Sequence, residues 1–129
     1  MSTNALHRRR PLLFFAAATV LPAGAAVDAA TVSLHLSRTT NGGQTVAVHR
    51  VLAAWGEGAS NANAEEGQGA AATAGDATWT NRLHPTDAWT TAGGDFTAAP
   101  SASATSGLTP GTYTWSSSAL ADDVQGWLD

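Results

Sequence analysis

The sequence contains no cysteine and no lysine. Without cysteine, the chain has no disulfide framework, no thiolate metal site and no thiol nucleophile. All six basic residues are arginine, and ten acidic residues bring the net charge to −4. Because phosphate binding needs a basic face, this balance disfavours nucleic acid as a partner. Long apolar runs are also missing, since no stretch reaches the ~18 residues of a membrane-spanning helix.

Length and composition allow one domain. The chain has 129 residues, of which 43% are hydrophobic and only 12% are charged. Much of the hydrophobic content is alanine, which buries little area per residue. Glycine, serine, threonine and alanine fill the loops, so we expect a small core for this length.

The N-terminal part has two interpretations. Basic residues 7–10, the apolar stretch 12–21 and the small residues 23–25 resemble a signal peptide covering residues 1–25. Alternatively, the apolar run 12–15 is a core strand, and residues 21–25 form the turn that follows it. We favour the strand and keep the signal peptide as the alternative.

Alternating residues predict two strands near the middle of the chain. Residues 31–38 place Val32, Leu34 and Leu36 on one face, and a second strand follows over residues 44–52. The Thr-Thr-Asn-Gly-Gly segment between them is turn chemistry, because Asn and Gly tolerate positive φ. The sequence therefore predicts an antiparallel hairpin.

The remaining elements follow from shorter patterns. Residues 112–115 alternate as a strand, residues 77–80 form a short strand, and residues 83–107 are mostly loop. The C-terminal end is a helix with Ser118 as its N-cap. Four apolar side chains share one face of this helix: Leu120, Val124, Trp127 and Leu128.

Several motifs together resemble the DNRLRE domain. They are Trp-Gly-Glu-Gly at residues 55–58, Ala-Thr-Trp-Thr-Asn-Arg at residues 77–82, the stretch 21–55, and residues 113–115 with 123–128. The resemblance implies an all-β, jelly-roll-like antiparallel sandwich of secreted or cell-surface proteins, with a short C-terminal helix. Such modules accompany polysaccharide-degrading or adhesive domains, and some relatives are classed as carbohydrate-binding.

The resemblance also sets the domain organisation. We expect a disordered N-terminus over residues 1–8, a partial sandwich over 9–129, and a flexible Gly/Ala/Asn-rich insertion at about 56–75. The earlier strands of the family, and the strand that closes it after the helix, have no counterpart. We therefore expect a domain truncated at both ends, with open sheet edges and exposed apolar faces.

The tryptophans are candidates for sugar stacking, because an indole face can pack on the apolar face of a pyranose. Trp79 and Trp89 lie in or beside predicted loops, and Arg82, which lies between them in the sequence, is a further candidate sugar-binding residue. We hypothesise that Trp89 contacts a polysaccharide. The other three tryptophans are expected to pack in the core: Trp55, Trp115 and Trp127.

Two sets of residues are candidate metal ligands. If the hairpin forms, His35 and His49 lie on one outer face within about 8 Å and could share a metal, although two solvated histidines are the favoured interpretation. Glu57 and Asp76, with Glu65 and Glu66, could hold calcium through loop carboxylates. Their spacing matches no EF-hand, so we favour a solvated loop and expect no cofactor.

Motifs for catalysis are weak. The sequence has no nucleophile elbow, no His-Glu-x-x-His and no P-loop, so we expect no enzyme. The leading hypothesis is a non-catalytic polysaccharide-binding module, joined to other domains of a larger extracellular or surface protein. The alternatives are a structural spacer or adhesive domain without a small ligand, and a non-functional gene fragment.

Overall fold

A computed structural model describes residues 10–39, 42–61 and 69–129. Antiparallel strand pairs dominate it, with a short helix at the C-terminus and one helical turn near the N-terminus. In this part of the chain, no helix is long and apolar enough to cross a membrane. The elements are α1 Ala17–Val20, β1 Thr31–Leu36, β2 Gln44–Val48, β3 Asn81–Leu83, β4 Asp87–Ala88, β5 Ala102–Ser106, β6 Gly111–Ser116 and α2 Ser118–Gln125.

The first strand pairs with the last. β1 lies antiparallel to β6, with Val32 opposite Trp115 and Leu34 opposite Tyr113. Both strands alternate β-branched, aromatic or leucine side chains with small polar ones, which suits a sheet with one covered face. The strands predicted at residues 31–38 and 112–115 are confirmed.

The second strand pairs with β5 rather than with β1. Val46 lies opposite Ala104, and Val48 lies opposite Ala102. The predicted β1–β2 hairpin is therefore wrong, because each of its strands takes its partner from the C-terminal half of the chain. β5 was missed because Ala-Ser-Ala-Thr-Ser has no large apolar residue to mark its alternation, and residues 83–107 were predicted as mostly loop.

Pairing continues past the end of β2. The amide of Ser101 donates to Val48 (2.8 Å), that of Thr97 to Arg50 (3.0 Å), and that of Leu52 to Asp95 (2.9 Å). An isolated bridge joins Val51 to Phe96. Residues 44–52, predicted as one strand, thus run beside residues 95–106 over most of their length.

The third pair lies in the turn-rich region. β3 and β4 form a short antiparallel pair with an irregular register. The strand predicted at residues 77–80 is displaced, since Trp79 and Thr80 lie in a bend and β3 begins at Asn81. The Thr78 side chain explains the bend, because its oxygen accepts the amides of Thr80 (3.2 Å) and Asn81 (2.9 Å).

Helix α2 closes the covered side of the strands. Its N-cap is Ser117 rather than the predicted Ser118, and the Ser117 hydroxyl accepts the amide of Leu120 at 3.0 Å. The Ser117 hydroxyl also donates to the Ser101 carbonyl, which ties the helix start to β5. Five apolar side chains are buried in the part of the chain that the structure describes: Trp89, Ala102, Trp115, Leu120 and Ala121.

Trp115 joins the two long strand pairs. Its side chain is only 4% exposed, and its indole N–H donates to the Val46 carbonyl of β2 at 2.8 Å. The prediction that Trp115 packs in the core is confirmed. Trp127 differs, because it lies in the turn after α2 and is 39% exposed.

The N-terminal segment does not form the favoured strand. Within the described ranges, residues 12–15 pair with no strand, and α1 begins two residues after them. Leu13, Phe14 and Phe15 are 45%, 75% and 49% exposed, so the run is not a core element in this structure. The strand interpretation is wrong, and residues 1–9 lie outside the described part.

Candidate functional site

Asp76 closes the long insertion. Its side chain is 3% exposed, and its carboxylate accepts the backbone amides of Ala59 (3.0 Å), Ser60 (3.4 Å) and Thr73 (2.5 Å), together with the Thr73 hydroxyl. One buried carboxylate therefore fixes both ends of a loop whose central residues, 62–68, are not described. This is the role of a structural clasp.

Charge and space around Asp76 agree with that role. The pKa of Asp76 is lowered to about 2, mainly by the hydrogen bond from the Thr73 amide. Hydrogen bonds from Ser60 and Ala59 lower it further, while burial of the carboxylate raises it in part. Gly58 adopts φ of +70°, and a Cβ there would lie 1.7 Å from the Asp76 carboxylate. Asp76 is thus an ionised acceptor already surrounded by donors.

A second carboxylate clasp lies nearby. The Asp95 carboxylate accepts the amides of Thr90 and Thr91, each at 2.9 Å. These hydrogen bonds lower the pKa of Asp95, and the bond from the Thr90 amide contributes most. The backbone carbonyl of Asp95 also accepts the amide of Leu52. Asp95 therefore joins the loop after Trp89 to the residues that extend β2.

Trp89 is a core residue and not a binding platform. Its side chain is 6% exposed, and its indole N–H donates to the Thr78 carbonyl at 2.9 Å. A sugar needs an open indole face, which Trp89 does not present. The hypothesis that Trp89 contacts a polysaccharide is therefore corrected: the flanking loops fold over this ring.

Trp79 presents the accessible indole of this region. It is 40% exposed, and its neighbours come from distant parts of the chain. The guanidinium carbon of Arg10 lies 5.0 Å from the centre of the Trp79 ring and 4.8 Å from that of Phe96. Arg10 also donates to the Gly93 carbonyl at 2.8 Å. We call Trp79, Phe96 and Gly93 the aromatic surface.

Arg10 separates two open grooves beside the aromatic surface. The first has a volume of about 490 Å³, and the second has about 390 Å³. Arg10 lines both. Their other lining residues are Leu12, Leu13, Phe14, Trp55, Gly56, Glu57 and Ala77 in the first groove, and Leu52, Thr91, Ala92, Gly94, Asp95, Phe96 and Ala98 in the second.

The guanidinium of Arg82 is engaged in contacts within the chain. Its guanidinium donates to the Asp87 carboxylate (3.0 Å) and to the Ala54 carbonyl (3.1 Å). These contacts join β3 to β4 and to the segment before Trp55. Arg82 thus has a positioning role in the loops beneath Trp79, and its side chain is 30% exposed.

The hairpin that was expected to bring His35 and His49 together is absent. His35 lies on β1 opposite Thr112, with its Nδ1 3.5 Å from the threonine hydroxyl. His49 follows β2, donates from Nδ1 to the Thr97 carbonyl at 2.8 Å, and meets the Phe96 ring edge-on. The predicted neighbourhood depended on a hairpin that is absent, so its geometric basis is lost.

The acidic residues of the insertion do not form a described cation site. Glu57 is exposed and lines the first groove, while the Asp76 carboxylate is surrounded by N–H donors. Glu65 and Glu66 lie outside the described residues. Within the described ranges, no group of three or more His, Asp or Glu side chains could hold a metal ion.

The residues that the sequence analysis missed are Arg10, Gly93 and Phe96. Arg10 was assigned to the basic end of an N-terminal segment, 83 residues from Gly93. Its contacts depend on how that segment folds back, for which no local pattern exists. The Gly-Gly-Asp-Phe sequence at residues 93–96 did signal a turn beside an aromatic residue.

No family model, no curated protein and no solved structure matches this chain. The fold defines a β-rich module built on antiparallel strand pairs.

Proposed function

We propose that this chain is a non-catalytic polysaccharide-binding module of a secreted or cell-surface protein. In this proposal, the strand pairs belong to a jelly-roll-like sandwich of the DNRLRE type, attached to other domains of a larger protein. The antiparallel pairing, the short C-terminal helix and the motifs around Trp55 and Trp79 support that assignment.

The observation that carries the proposal is the position of Trp79. Trp79 is 40% exposed and contacts Arg10, which lines both grooves. The loops around it are held by two carboxylate clasps and by the Arg82–Asp87 pair. A half-exposed indole on a fixed backbone is suited to stacking on a pyranose, because little ordering is needed when the sugar binds. Glu57 and Thr91 supply polar groups along the grooves.

A structural spacer or adhesive domain is the second candidate. It is favoured by apolar side chains on the strands that remain exposed, with Leu34 and Val46 each at 40%. Such side chains fit contact with a neighbouring domain better than contact with a sugar. This candidate needs no small ligand, and retention on polysaccharide separates it from the first.

The test is affinity electrophoresis through gels that contain a panel of soluble polysaccharides, both neutral and charged. We expect at least one glycan to retard the chain, and we expect Trp79→Ala to reduce that retardation by about tenfold, the loss expected for one stacking aromatic. Trp127→Ala is the matched control, because Trp127 is 39% exposed but lies in the turn after α2.

Three results would contradict the proposal. If no glycan retards the folded chain, the spacer is favoured. If Trp127→Ala weakens retention as much as Trp79→Ala does, the aromatic surface is not the binding site. If the chain releases reducing ends from the retained glycan, it is an enzyme and the non-catalytic assignment fails.

A further inference from the structure

The segment from residue 10 to residue 24 meets later described residues through Arg10 and through residues 12–14, which line the first groove. Its other hydrogen bonds are local, and the bond from Arg10 to the Gly93 carbonyl is the one that joins it to later described residues. The residues that follow this segment are bonded to α2: the Gln125 side chain accepts the amide of Val27 (2.9 Å) and donates to the Ala25 carbonyl (3.3 Å). We call residues 10–24 the strap.

The strap ends on the aromatic surface as a bound ligand would. The Arg10 guanidinium lies over the rings of Trp79 and Phe96 and donates a hydrogen bond to the Gly93 carbonyl. A cationic ligand makes the same kinds of contact with an aromatic site. Gly93 makes the approach possible, because a Cβ at this position would lie 2.6 Å from Arg10 Nη1 and 2.8 Å from the Trp79 ring. Arg10 is itself exposed, so solvent can compete for it.

Removing Arg10 changes the charge of this surface. Among the described residues, Arg10 is the one cation that lines either groove, and the other charged lining residues are Glu57 in the first groove and Asp95 in the second. Without Arg10, the described charges that line the grooves would be those of Glu57 and Asp95, with Arg82 close enough to Asp95 to help lower its pKa. An aromatic and anionic surface attracts ammonium groups, through the ring faces and through the carboxylates.

We propose that Arg10 holds the place of a ligand's ammonium group, and that the strap covers a binding surface for a polysaccharide that bears protonated amines. The inference rests on the proposed function and names its substrate class. The sugar ring stacks on Trp79, and its ammonium group replaces the guanidinium. Because Arg10 is tethered, it competes at a high effective concentration and weakens binding in the intact chain.

The experiment compares two soluble polymers that differ mainly in charge. Glycol chitosan carries free amines, and glycol chitin is its N-acetylated form. Affinity electrophoresis at mildly acidic pH is run with the full chain, with Arg10→Ala and with Arg38→Ala. Arg38 is an exposed arginine after β1, so its loss makes the same change in net charge away from the aromatic surface. Fluorescence melts confirm that each variant is folded.

We expect Arg10→Ala to bind glycol chitosan about fivefold more tightly than Arg38→Ala does, the factor that corresponds to losing an exposed cation–π competitor. Retention on glycol chitin should be the same for both variants. Adding Trp79→Ala to Arg10→Ala should remove the gain, because the stacking ring is lost.

Each other result is decisive. Equal binding of glycol chitosan by Arg10→Ala and Arg38→Ala would overturn the strap's role. Equal retention on both polymers would overturn the amine requirement and leave polysaccharide binding intact. If neither polymer is retained but another glycan of the panel is, this inference alone fails. If no glycan is retained at all, the proposed function fails with it.

Discussion

Backbone N–H and C=O groups find their partners differently in the paired strands and in the turn-rich region from residue 54 to residue 98. In the strands, ladder hydrogen bonds pair the backbone, but side chains such as Leu34 and Val46 stay 40% exposed. In the turns, side chains pair the backbone, because Asp76, Asp95 and Thr78 accept loop amides. The loops are therefore fixed by their own polar groups, while the sheets are only partly covered.

This difference explains where the stability of the chain is concentrated. A small set of side chains links the regions, since few large apolar residues are buried. Trp115 links the two long strand pairs, and Asp76 links the ends of the insertion. Substitutions at these two positions should have large effects, whereas substitutions on the open strand faces should have small ones.

The largest effect is expected at Trp115. Trp115→Ala removes a side chain that is 4% exposed and leaves the Val46 carbonyl without its indole donor. We expect a loss of about 3–5 kcal/mol in the free energy of unfolding, because a large cavity opens between β6 and β2. A urea melt followed by circular dichroism measures it.

The control for Trp115→Ala is Trp127→Ala, which removes the same side chain at 39% exposure and should cost about 1 kcal/mol or less. If the two variants melt at similar urea concentrations, Trp115 does not join the strand pairs in the way the structure indicates.

The sequence predicted the strands with large alternating residues and the C-terminal helix, because side-chain periodicity is local information. It did not predict which strands pair. β1 and β2 are adjacent and joined by turn residues, yet each pairs with a strand near the C-terminus, and β5 carries no large apolar residue. Pairing partners depend on burial across the whole chain, which no window of sequence contains.

The candidate site was only partly predictable for the same reason. Trp79 and Trp89 occupy similar loop sequences, but one ring is 40% exposed and the other 6%. The turns at Thr78 and Asp95 accompany this difference; they form through side-chain hydrogen bonds to amides two to five residues away, which no apolar periodicity marks. Arg10 belongs to the site only because the strap folds back over it.

An intermediate effect is expected when the Asp76 clasp is broken. Asp76→Asn turns an ionised acceptor into an amide whose NH₂ group faces loop N–H donors, so we expect the melting temperature to fall by roughly 5 °C near neutral pH. Asp28→Asn removes the same charge at an exposed position and should change little.

The pH dependence of the clasp has a definite sign. The folded pKa of Asp76 is about 2, below the ordinary aspartate value of 3.8. Its contribution to stability is therefore fully present above pH 3.8 and is lost as the pH falls through about 2. As the pH falls from 3.8 to about 2, the melting temperatures of the parent chain and of Asp76→Asn should converge. A difference that persists undiminished at the acid end would show that the carboxylate charge is not what holds the loop.

The smallest effect is expected on the strand faces. Leu34→Thr and Val46→Thr replace side chains that are 40% exposed by one that suits a strand, so each should cost about 1 kcal/mol or less in urea melts. Leu120→Thr, at a buried position on α2, should cost clearly more. A loss of more than about 2 kcal/mol at Leu34 or Val46, together with melts that depend on protein concentration, would mean that another copy of the chain covers these faces in solution. The contrast between fixed loops and open sheets would then describe a single chain but not the protein in solution.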